Sequence, residues 1–211
     1  MPHAASNTLK GKKILITAGP TWVAIDAVRV LSNIASGETG IKLAEKLLSS
    51  GARVTLLLGP VAACCIDKNI KVIHFSFFDE LRNKIIKELK NNKYDSIIHS
   101  AAVSDFKPRH KHKGKLSSQG DVTLQLTRLP KIINDIKKLR GRAQLVMFKL
   151  EVNVPRKTLL ARARRAAHAA GAEIVVANSF NPYRAIILAQ GMALEARNKS
   201  SIVNTLVRLL R

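Results

Sequence analysis

Residues 14–50 read ILITAGPTWVAIDAVRVLSNIASGETGIKLAEKLLSS. This stretch contains a short apolar strand, a long polar loop and an amphipathic helix in that order. Ile41, Ala44 and Leu47 recur at helical spacing, which predicts a helix over 37–50. A buried strand that delivers a polar loop onto a helix N-terminus is the arrangement with which many α/β proteins hold anions. We therefore expect an anion site in this stretch.

Strands and helices alternate along the rest of the chain. The predicted strands cover 13–17, 53–58, 71–75, 95–101, 144–148, 173–177 and 184–189, and the predicted helices after the first cover 77–90, 130–139, 155–170 and 198–210. This βαβ order predicts a mostly parallel sheet with right-handed crossovers. The expected fold class is α/β, a Rossmann-like three-layer fold in which helices flank the sheet.

Residues 104–120 interrupt the pattern, because they are nearly free of apolar side chains and rich in charge. A long exposed loop is expected here, and long ordered loops tend to be functional. Lys111, Lys113 and Lys115 alternate in it with small or polar residues. A mobile lysine loop of this kind could close over a polyphosphate and neutralise its charge; solvated surface lysines are the alternative. The alternation of apolar residues over 122–126 predicts a half-buried strand.

The chain of 211 residues is 46% hydrophobic, which indicates one globular domain with a sizeable core. We expect this domain over 12–211, after a flexible tail over 1–11. No apolar run approaches the ~20 residues that span a bilayer, and the polar N-terminus lacks the apolar core of a secretory signal. No membrane partner and a cytoplasmic location are expected. Cys64 and Cys65 are adjacent and cannot easily bridge each other, so we interpret them as small residues packed under a loop.

The charge is strongly positive, with 36 Lys and Arg against 14 Asp and Glu and a net charge of +22. Such a surface suits either nucleic acid or a pocket that captures small polyanions. The positive residues are spread over nearly every polar segment, and aromatic residues for base stacking make up only 4% of the chain. A small polyanion is therefore favoured, and a non-catalytic nucleic-acid binder stays as the alternative. No dinucleotide or P-loop glycine fingerprint is present, which disfavours an NAD(P) oxidoreductase.

Polar residues end or follow several predicted strands. In open parallel sheets, ligands bind at the C-terminal strand ends near the point where the strand order reverses. The residues in question are Thr17, Gly19, the segments 100–105 and 148–151, and Asn178. Although they are far apart in sequence, they should converge on one site for a nucleotide or phosphorylated metabolite.

Some of the candidate residues also have a structural interpretation. Ser36 is either an ordinary helix N-cap or part of a phosphate or oxyanion site. Asp105 either forms a turn or holds a ribose hydroxyl or a metal. His99 is interpreted as packed or hydrogen-bonded rather than as a catalytic base. His110 and His112 have no acidic or cysteine partner at metal-ligand spacing.

Five segments form an ordered set: ITAGPT (16–21), IDAVRVLSNIASGETG (25–40), AAVSDF (101–106), KGK (113–115) and VVAN (175–178). Together they closely resemble phosphopantothenate–cysteine ligase, the phosphopantothenoylcysteine synthetase of coenzyme A biosynthesis. The resemblance starts at about residue 12, and FKLE (148–151) resembles the stand-alone members. It thus implies a stand-alone ligase, without the flavin-dependent decarboxylase of fused members and without flavin.

The resemblance implies a two-step reaction that requires Mg²⁺. A nucleoside triphosphate, CTP in most bacterial members and ATP in eukaryotic ones, activates the carboxylate of 4'-phosphopantothenate as an acyl-nucleotide and releases pyrophosphate. The amine of L-cysteine then displaces the nucleotide and forms the amide.

The resemblance also implies roles for individual residues. Asn33 polarises the acyl carbonyl, and Arg29 reaches phosphopantothenate across a homodimer interface. Lys113 best matches the family's loop lysine, but a gap-free count from Asp105 favours Lys115, so both stay open as catalytic residues. The implied nucleotide-binding residues are Ser100, Ala101, Asp105, Lys113, Pro130, Lys131, Ile132, Ile133 and Phe148, and the implied phosphopantothenate-binding residues are Arg29, Asn33, Ser36 and Gly37. No metal ligand is assigned.

The chain departs from the family pattern at several positions. Ile34 replaces an arginine, Ala35 replaces a serine, and Leu116 stands where many members continue the lysine run. Ala166 and Ala170 stand where fused members have nucleotide-contacting lysines. These departures leave the choice between CTP and ATP open.

Overall fold

Eight strands form the central sheet of the computed structural model, which describes residues 9–62, 66–180 and 183–211. The strands of the described chain are β1 (Lys13–Ala18), β2 (Trp22–Ala24), β3 (Val30–Ser32), β4 (Arg53–Leu58), β5 (Lys71–His74), β6 (Ser96–His99), β7 (Phe106–Pro108), β8 (Leu126–Arg128), β9 (Gln144–Val152), β10 (Ile174–Phe180), β11 (Arg184–Ala189) and β12 (Met192–Ala196). The helices are α1 (Glu38–Ser49), α2 (Phe78–Asn91), α3 (Ile132–Leu139), α4 (Arg156–Ala170) and α5 (Lys199–Leu209).

The spatial order of the central sheet is β12-β11-β10-β9-β6-β1-β4-β5. The strands from β5 to β10 run parallel, and β11 and β12 add an antiparallel hairpin at one edge. The chain runs from β1 through β4 to β5 and then returns to β6 on the other side of β1, so the strand order reverses between β1 and β6. The predicted Rossmann-like α/β fold is confirmed, although β12 has no counterpart in the predicted pattern.

Helices cover both faces of the sheet. On one face, α1 and α5 bury Leu43 and Leu206 in the same core as Ile16 of β1. On the other face, α2 and α3 pack around Leu15 and Ile97, and α4 contacts α3 and covers β10 and β11. Successive residues of β1 therefore enter different cores, as expected for a sheet that is buried on both faces. None of the helices in the described ranges is long and apolar enough to cross a membrane.

The N-terminal boundary differs from the expected one. Leu9, which the sequence assigned to a flexible tail, is fully buried in the core beneath α1 and α5. The core thus includes Leu9, while Lys10 and Gly11 are exposed, because removing a leucine side chain from water lowers the free energy of the folded chain. Residues 1–8 lie outside the described ranges, as do Cys64 and Cys65.

Two antiparallel ribbons lie largely in stretches that the sequence assigned to loops. The ribbon β2–β3 lies inside the polar loop after β1, and β7, within the predicted long loop, pairs with β8. The predicted half-buried strand over 122–126 is wrong, since the strand begins only at Leu126 and Val122 and Leu124 are exposed. Alternation identifies an apolar face but does not say what covers it.

Helix α1 approaches β1 closely because Gly40 has no side chain. A Cβ atom at this position would lie 2.4 Å from Ala18 Cβ and 2.9 Å from Ser100 Oγ. At the start of the same helix, Gly37 has φ of 70°, and a Cβ atom there would lie 3.2 Å from the backbone nitrogen of Gly19. The two glycines therefore allow the α1 N-terminus to rest on the C-terminal end of β1.

A hydrogen-bonded cluster joins the ends of β1 and β6. Thr17 Oγ1 lies 2.8 Å from Nδ1 of the half-buried His99, and it accepts the Ala101 N–H at 3.2 Å. Desolvation lowers the pKa of His99 to about 4, so its imidazole is neutral near pH 7. This agrees with the expected role as a packed, hydrogen-bonded residue.

The burial of His99 makes stability depend on pH. The unfolded imidazole titrates at about 6.5 and the folded one at about 4, so only the unfolded state takes up a proton between these values. The contribution of His99 to the free energy of unfolding should be constant well above pH 6.5 and should fall by at most about 1.4 kcal/mol per pH unit on acidification below it. Urea titrations between pH 7.5 and 5.5 measure this slope before carboxylates with lowered pKa values, such as Glu38, add their own.

The His99→Gln variant should lose most of the slope between pH 6.5 and 5.5, whereas His168→Gln, at an exposed position of α4, should keep it. Equal slopes in all three proteins would contradict the assignment.

Candidate functional site

The loops that follow β1 and β6 are joined along the C-terminal edge of the sheet. Ala102 donates its N–H to the Gly19 carbonyl at 2.9 Å, and its carbonyl accepts the Thr21 N–H at 3.2 Å. Thr21 Oγ1 accepts the Ser104 N–H at 2.9 Å, and both side chains are buried. The two loops therefore form one surface at the point where the strand order reverses.

Asn33 lies at the junction of these loops. Its Nδ2 donates to the Ala102 carbonyl at 3.1 Å, which ties the loop before α1 to the segment after β6. Ser36 does not cap the helix: Gly37 is the N-cap residue, and Ser36 Oγ only accepts the Glu38 N–H at 3.4 Å. Because no side chain caps the helix at Gly37, first-turn N–H groups of α1 are available to an anion beside Asn33.

The predicted nucleotide segment has mixed roles. Ser100 Oγ donates to the Thr17 carbonyl at 2.7 Å, so this hydroxyl helps to fix the strand ends. Asp105 is exposed and forms an ion pair with Lys131, the N-cap residue of α3. Ile132 is fully buried in the core under α3, so only its backbone could contact a ligand.

Asn178 is a site candidate to which the sequence assigned no role. Its Oδ1 is buried and has no hydrogen-bond partner among the described residues. Val176, two positions earlier on β10, points into the core under α1 and α5, and strand alternation places Asn178 on the same face. Phe148 of β9 packs against this core too. The signal in the sequence was a polar residue at the end of an apolar strand.

The lysine loop is held against the β2–β3 ribbon. Ala27 donates its N–H to the Gly114 carbonyl at 2.9 Å, and the His112 N–H reaches the Ile25 carbonyl at 3.2 Å. Lys113 and Lys115 are exposed, and neither ammonium group forms a hydrogen bond with another described residue. The loop that was expected to be mobile is therefore anchored through its backbone, while the side chains of Lys113 and Lys115 are exposed.

Two lysines compensate for a carboxylate at the start of α1. Glu38 pairs with Lys199, and with Lys42 at 2.6 Å. These hydrogen bonds lower the pKa of Glu38 to about 2. Its charge is thereby neutralised locally, which reduces its repulsion of an anion at the helix N-terminus.

Metal-binding groups are sparse. Among the described residues, no group of three or more His, Cys, Asp or Glu side chains is arranged to hold a metal ion. Asp105, the carboxylate expected at the site, is engaged with Lys131. The protein part of the site could therefore supply at most a few ligands to a cation.

A separate cavity of about 550 Å³ opens between the two ribbons and the start of α2. Its walls include Trp22, Phe77, Pro108 and Lys111. Asn33, Ser100 and Asn178 do not line it. The strand-end site is therefore a distinct, open surface rather than this cavity.

Comparisons with known proteins agree with this architecture. The family model described as the DNA/pantothenate metabolism flavoprotein C-terminal domain matches residues 9–204. The coenzyme A biosynthesis bifunctional protein CoaBC of Thermococcus kodakarensis is 36% identical over 176 residues, which are 83% of this chain and 43% of that protein. The Bacillus subtilis protein of the same name is 33% identical, with the same coverage of 83% and 43%. The chain thus spans less than half the length of these relatives.

Solved structures give the same result. The crystal structure of the DNA/pantothenate metabolism flavoprotein from Streptococcus pneumoniae has a TM-score of 0.85 and 27% identity, and the match covers 95% of this chain and 98% of that one. A Cab2 mutant in complex with phosphopantothenate-cysteine has a TM-score of 0.74 at 19% identity, over 94% of this chain and 85% of that one, which is a likeness of fold alone. The chain belongs to the family of the DNA/pantothenate metabolism flavoprotein C-terminal domain, which confirms its resemblance to the phosphopantothenate–cysteine ligases.

Proposed function

We propose that this protein is a phosphopantothenate–cysteine ligase of coenzyme A biosynthesis. The observation that carries the proposal is Asn33, an amide held by the Ala102 carbonyl beside the uncapped N-terminus of α1. This places a neutral hydrogen-bond donor next to backbone N–H groups that favour phosphate. Such a pair suits a reaction in which a phosphate and an acyl carbonyl must lie side by side.

The reaction has two steps. A carboxylate oxygen of 4'-phosphopantothenate attacks the α-phosphorus of a nucleoside triphosphate, and pyrophosphate leaves. The amine of L-cysteine then attacks the acyl carbon, the nucleoside monophosphate leaves, and the amine loses a proton. Pyrophosphate and the nucleoside monophosphate are good leaving groups once their charge is neutralised. Alignment of the reactants and electrostatic stabilisation therefore account for most of the lowering of the activation barrier.

Asn33 acts in the second step. One N–H of its amide donates a hydrogen bond to the Ala102 carbonyl, which orients the side chain. The other N–H is free to donate to the acyl oxygen, where negative charge develops as cysteine attacks. A neutral amide suits this position because it does not repel the phosphate ester next to it.

The triphosphate lies along the strand ends between Asp105 and the loop that carries Lys113 and Lys115. The lysines neutralise the charge that develops on the departing pyrophosphate. Mg²⁺ would be held mainly by triphosphate oxygens, as is usual for this ion, since the described residues offer no group of three or more metal-binding side chains. The unpartnered Oδ1 of Asn178 is an acceptor for a donor on the nucleotide, and both CTP and ATP carry amine and hydroxyl donors.

The active unit is a homodimer in which Arg29 serves the neighbouring site. Exposed apolar side chains lie on or next to the two ribbons, which pack against each other. They are Val28, Val30, Phe106, Leu124 and Leu126. A second copy of the chain is the occupant that would both cover this surface and bring Arg29 to an active site.

A panel of triphosphates tests the proposed function. The purified protein should release pyrophosphate when 4'-phosphopantothenate, Mg²⁺ and either CTP or ATP are present, and should form the amide when L-cysteine is added. Coupled phosphate detection and mass spectrometry measure the two products. If no triphosphate supports pyrophosphate release, the protein is not a ligase of this kind.

Replacement of Asn33 by aspartate should separate the two steps. The carboxylate cannot donate to the acyl oxygen, so Asn33→Asp should keep pyrophosphate release and lose at least tenfold in amide formation. Quenched-flow assays of both products measure the ratio. Asn204→Asp, on the exposed side of α5, is the matched control and should resemble the wild type. Equal loss of both steps in Asn33→Asp would contradict the assigned role.

A charge on the ribbon surface should break the dimer. Leu126 is 48% exposed on β8, and Met192 is 46% exposed on β12, far from the ribbons. Leu126→Glu should be monomeric in sedimentation experiments at micromolar concentration and should lose activity that reappears only at high protein concentration. Met192→Glu should stay dimeric. A monomeric wild type that is fully active would refute the shared site.

A further inference from the structure

Asp26 occupies an unusual position for a carboxylate near an anion site. Its side chain has 0% exposure, although it lies in the short connection between β2 and β3. Oδ1 accepts the N–H groups of Val28 at 2.7 Å and Arg29 at 2.6 Å. Oδ2 accepts the Arg29 guanidinium at 2.6 Å and the Leu116 N–H at 3.0 Å. All lone pairs of the carboxylate are thus used.

The two oxygens of Asp26 have different tasks. The bonds to Oδ1 are local and form the turn that joins β2 to β3, as aspartates often do. At Oδ2, the bond from the Leu116 N–H is not explained by the turn, because Leu116 is 90 residues away in sequence, and the Arg29 guanidinium that shares this oxygen also reaches the Leu116 carbonyl. The N–H of Leu116 contributes most to holding the pKa of Asp26 well below its usual range, so the carboxylate is charged at any assay pH.

The contacts of Asp26 lie at the centre of a wider set that fixes the lysine loop. His112 and Gly114 form backbone hydrogen bonds with the connection between β2 and β3, at 3.2 and 2.9 Å. The Arg29 guanidinium donates to the Leu116 carbonyl at 3.3 Å. The loop is therefore held before Lys113, between the two lysines and after Lys115, while both ammonium groups remain exposed.

Arg29 belongs to the same arrangement. Its guanidinium uses NH1 for Asp26 and for the Leu116 carbonyl, and its side chain is 41% exposed. NH2 and Nε form no hydrogen bond with another described residue, so the exposed edge can bind an anion. One buried carboxylate thus orients both the arginine and the lysine loop.

We infer that Asp26 is a positioning residue that couples Arg29 to the lysine loop, so that the phosphopantothenate arginine and the catalytic lysine are held ready for substrate. The inference rests on the proposed ligase function. It assigns to the aspartate a role through Oδ2 that is separate from its local turn. The loop is expected to be pre-ordered by Asp26 rather than ordered by substrate alone.

The Asp26→Asn variant separates the two tasks. The amide oxygen can keep the bonds to Val28 and Arg29 N–H, but an NH₂ group then faces two donors, the Leu116 N–H and the Arg29 guanidinium. The turn should survive and the loop should be released. Asp95→Asn is the matched control, since Asp95 also accepts a backbone N–H and a lysine, from Lys13 and Lys12, at the opposite edge of the sheet.

The first measurement is hydrogen exchange without any substrate. In Asp26→Asn, the hydrogen-bonded amides that hold the loop, those of Ala27, His112 and Leu116, should exchange at least fivefold faster than in the wild type, with unchanged exchange in β1 and β6. Asp95→Asn should leave these three amides unchanged. Because this readout needs no activity, unchanged exchange in Asp26→Asn refutes the coupling even if the ligase function is correct. A wild type without ligase activity refutes the function instead.

The second measurement is the kinetics of pyrophosphate release. Asp26→Asn should lower kcat about tenfold and change the KM for the triphosphate by less than threefold, whereas Asp95→Asn should keep both. Faster loop exchange with unchanged kcat would overturn the inference, and so would a lower kcat with unchanged exchange. If Asp26→Asn does not fold, Leu116→Pro removes the same N–H donor without touching the turn, and the same outcomes apply to it.

Discussion

The close approach of α1 to β1 is the constraint on which the site depends. A single missing side chain at Gly40 lets the helix sit where any Cβ would collide with Ala18. This close packing brings the N-terminus of α1 to the C-terminal ends of the strands, where Gly37 lies against Gly19. Asn33 can then reach the Ala102 carbonyl. Without this spacing, the N–H groups of α1 and the segment after β6 would belong to different surfaces.

The many positive side chains of the protein contribute mainly to its overall electrostatic field and little to its stability. Eleven Lys or Arg side chains form ion pairs with carboxylates in the described chain, and most of these pairs are at least partly exposed. Exposed pairs of this kind contribute little to stability. In the proposed reaction, the remaining positive charge of a chain with net +22 would raise the local concentration of polyanionic substrates. Specific recognition would then depend on short-range contacts such as those of Asn33.

The sequence predicted the elements with strong periodicity, and it missed what depends on distant partners. Strand β1 and helix α1 follow from apolar spacing, and their order implied the strand-end site. The ribbons β2–β3 and β7–β8 have strands of three residues each, too short to show a period. The partner of Asp26 lies 90 residues away at Leu116, and no local pattern could indicate that contact. Asn178 illustrates the same limit, since only the folded sheet reveals that its Oδ1 has no hydrogen-bond partner within the described ranges.

If the proposed ligase reaction takes place at this site, which has few acid–base groups, its rate must come mainly from the alignment of the reactants. His99 is neutral and engaged with Thr17, and Glu38 is engaged with two lysines, so neither is poised to transfer protons near pH 7. The other charged side chains assigned to the site, those of Arg29, Lys113 and Lys115, are on loops, which are the least rigid parts of an α/β fold. A buried carboxylate with four donors is an effective means of fixing such loops, because each bond to a charged acceptor is stronger than a neutral one. Asp26 can therefore give loop residues the precision that the sheet gives to strand ends.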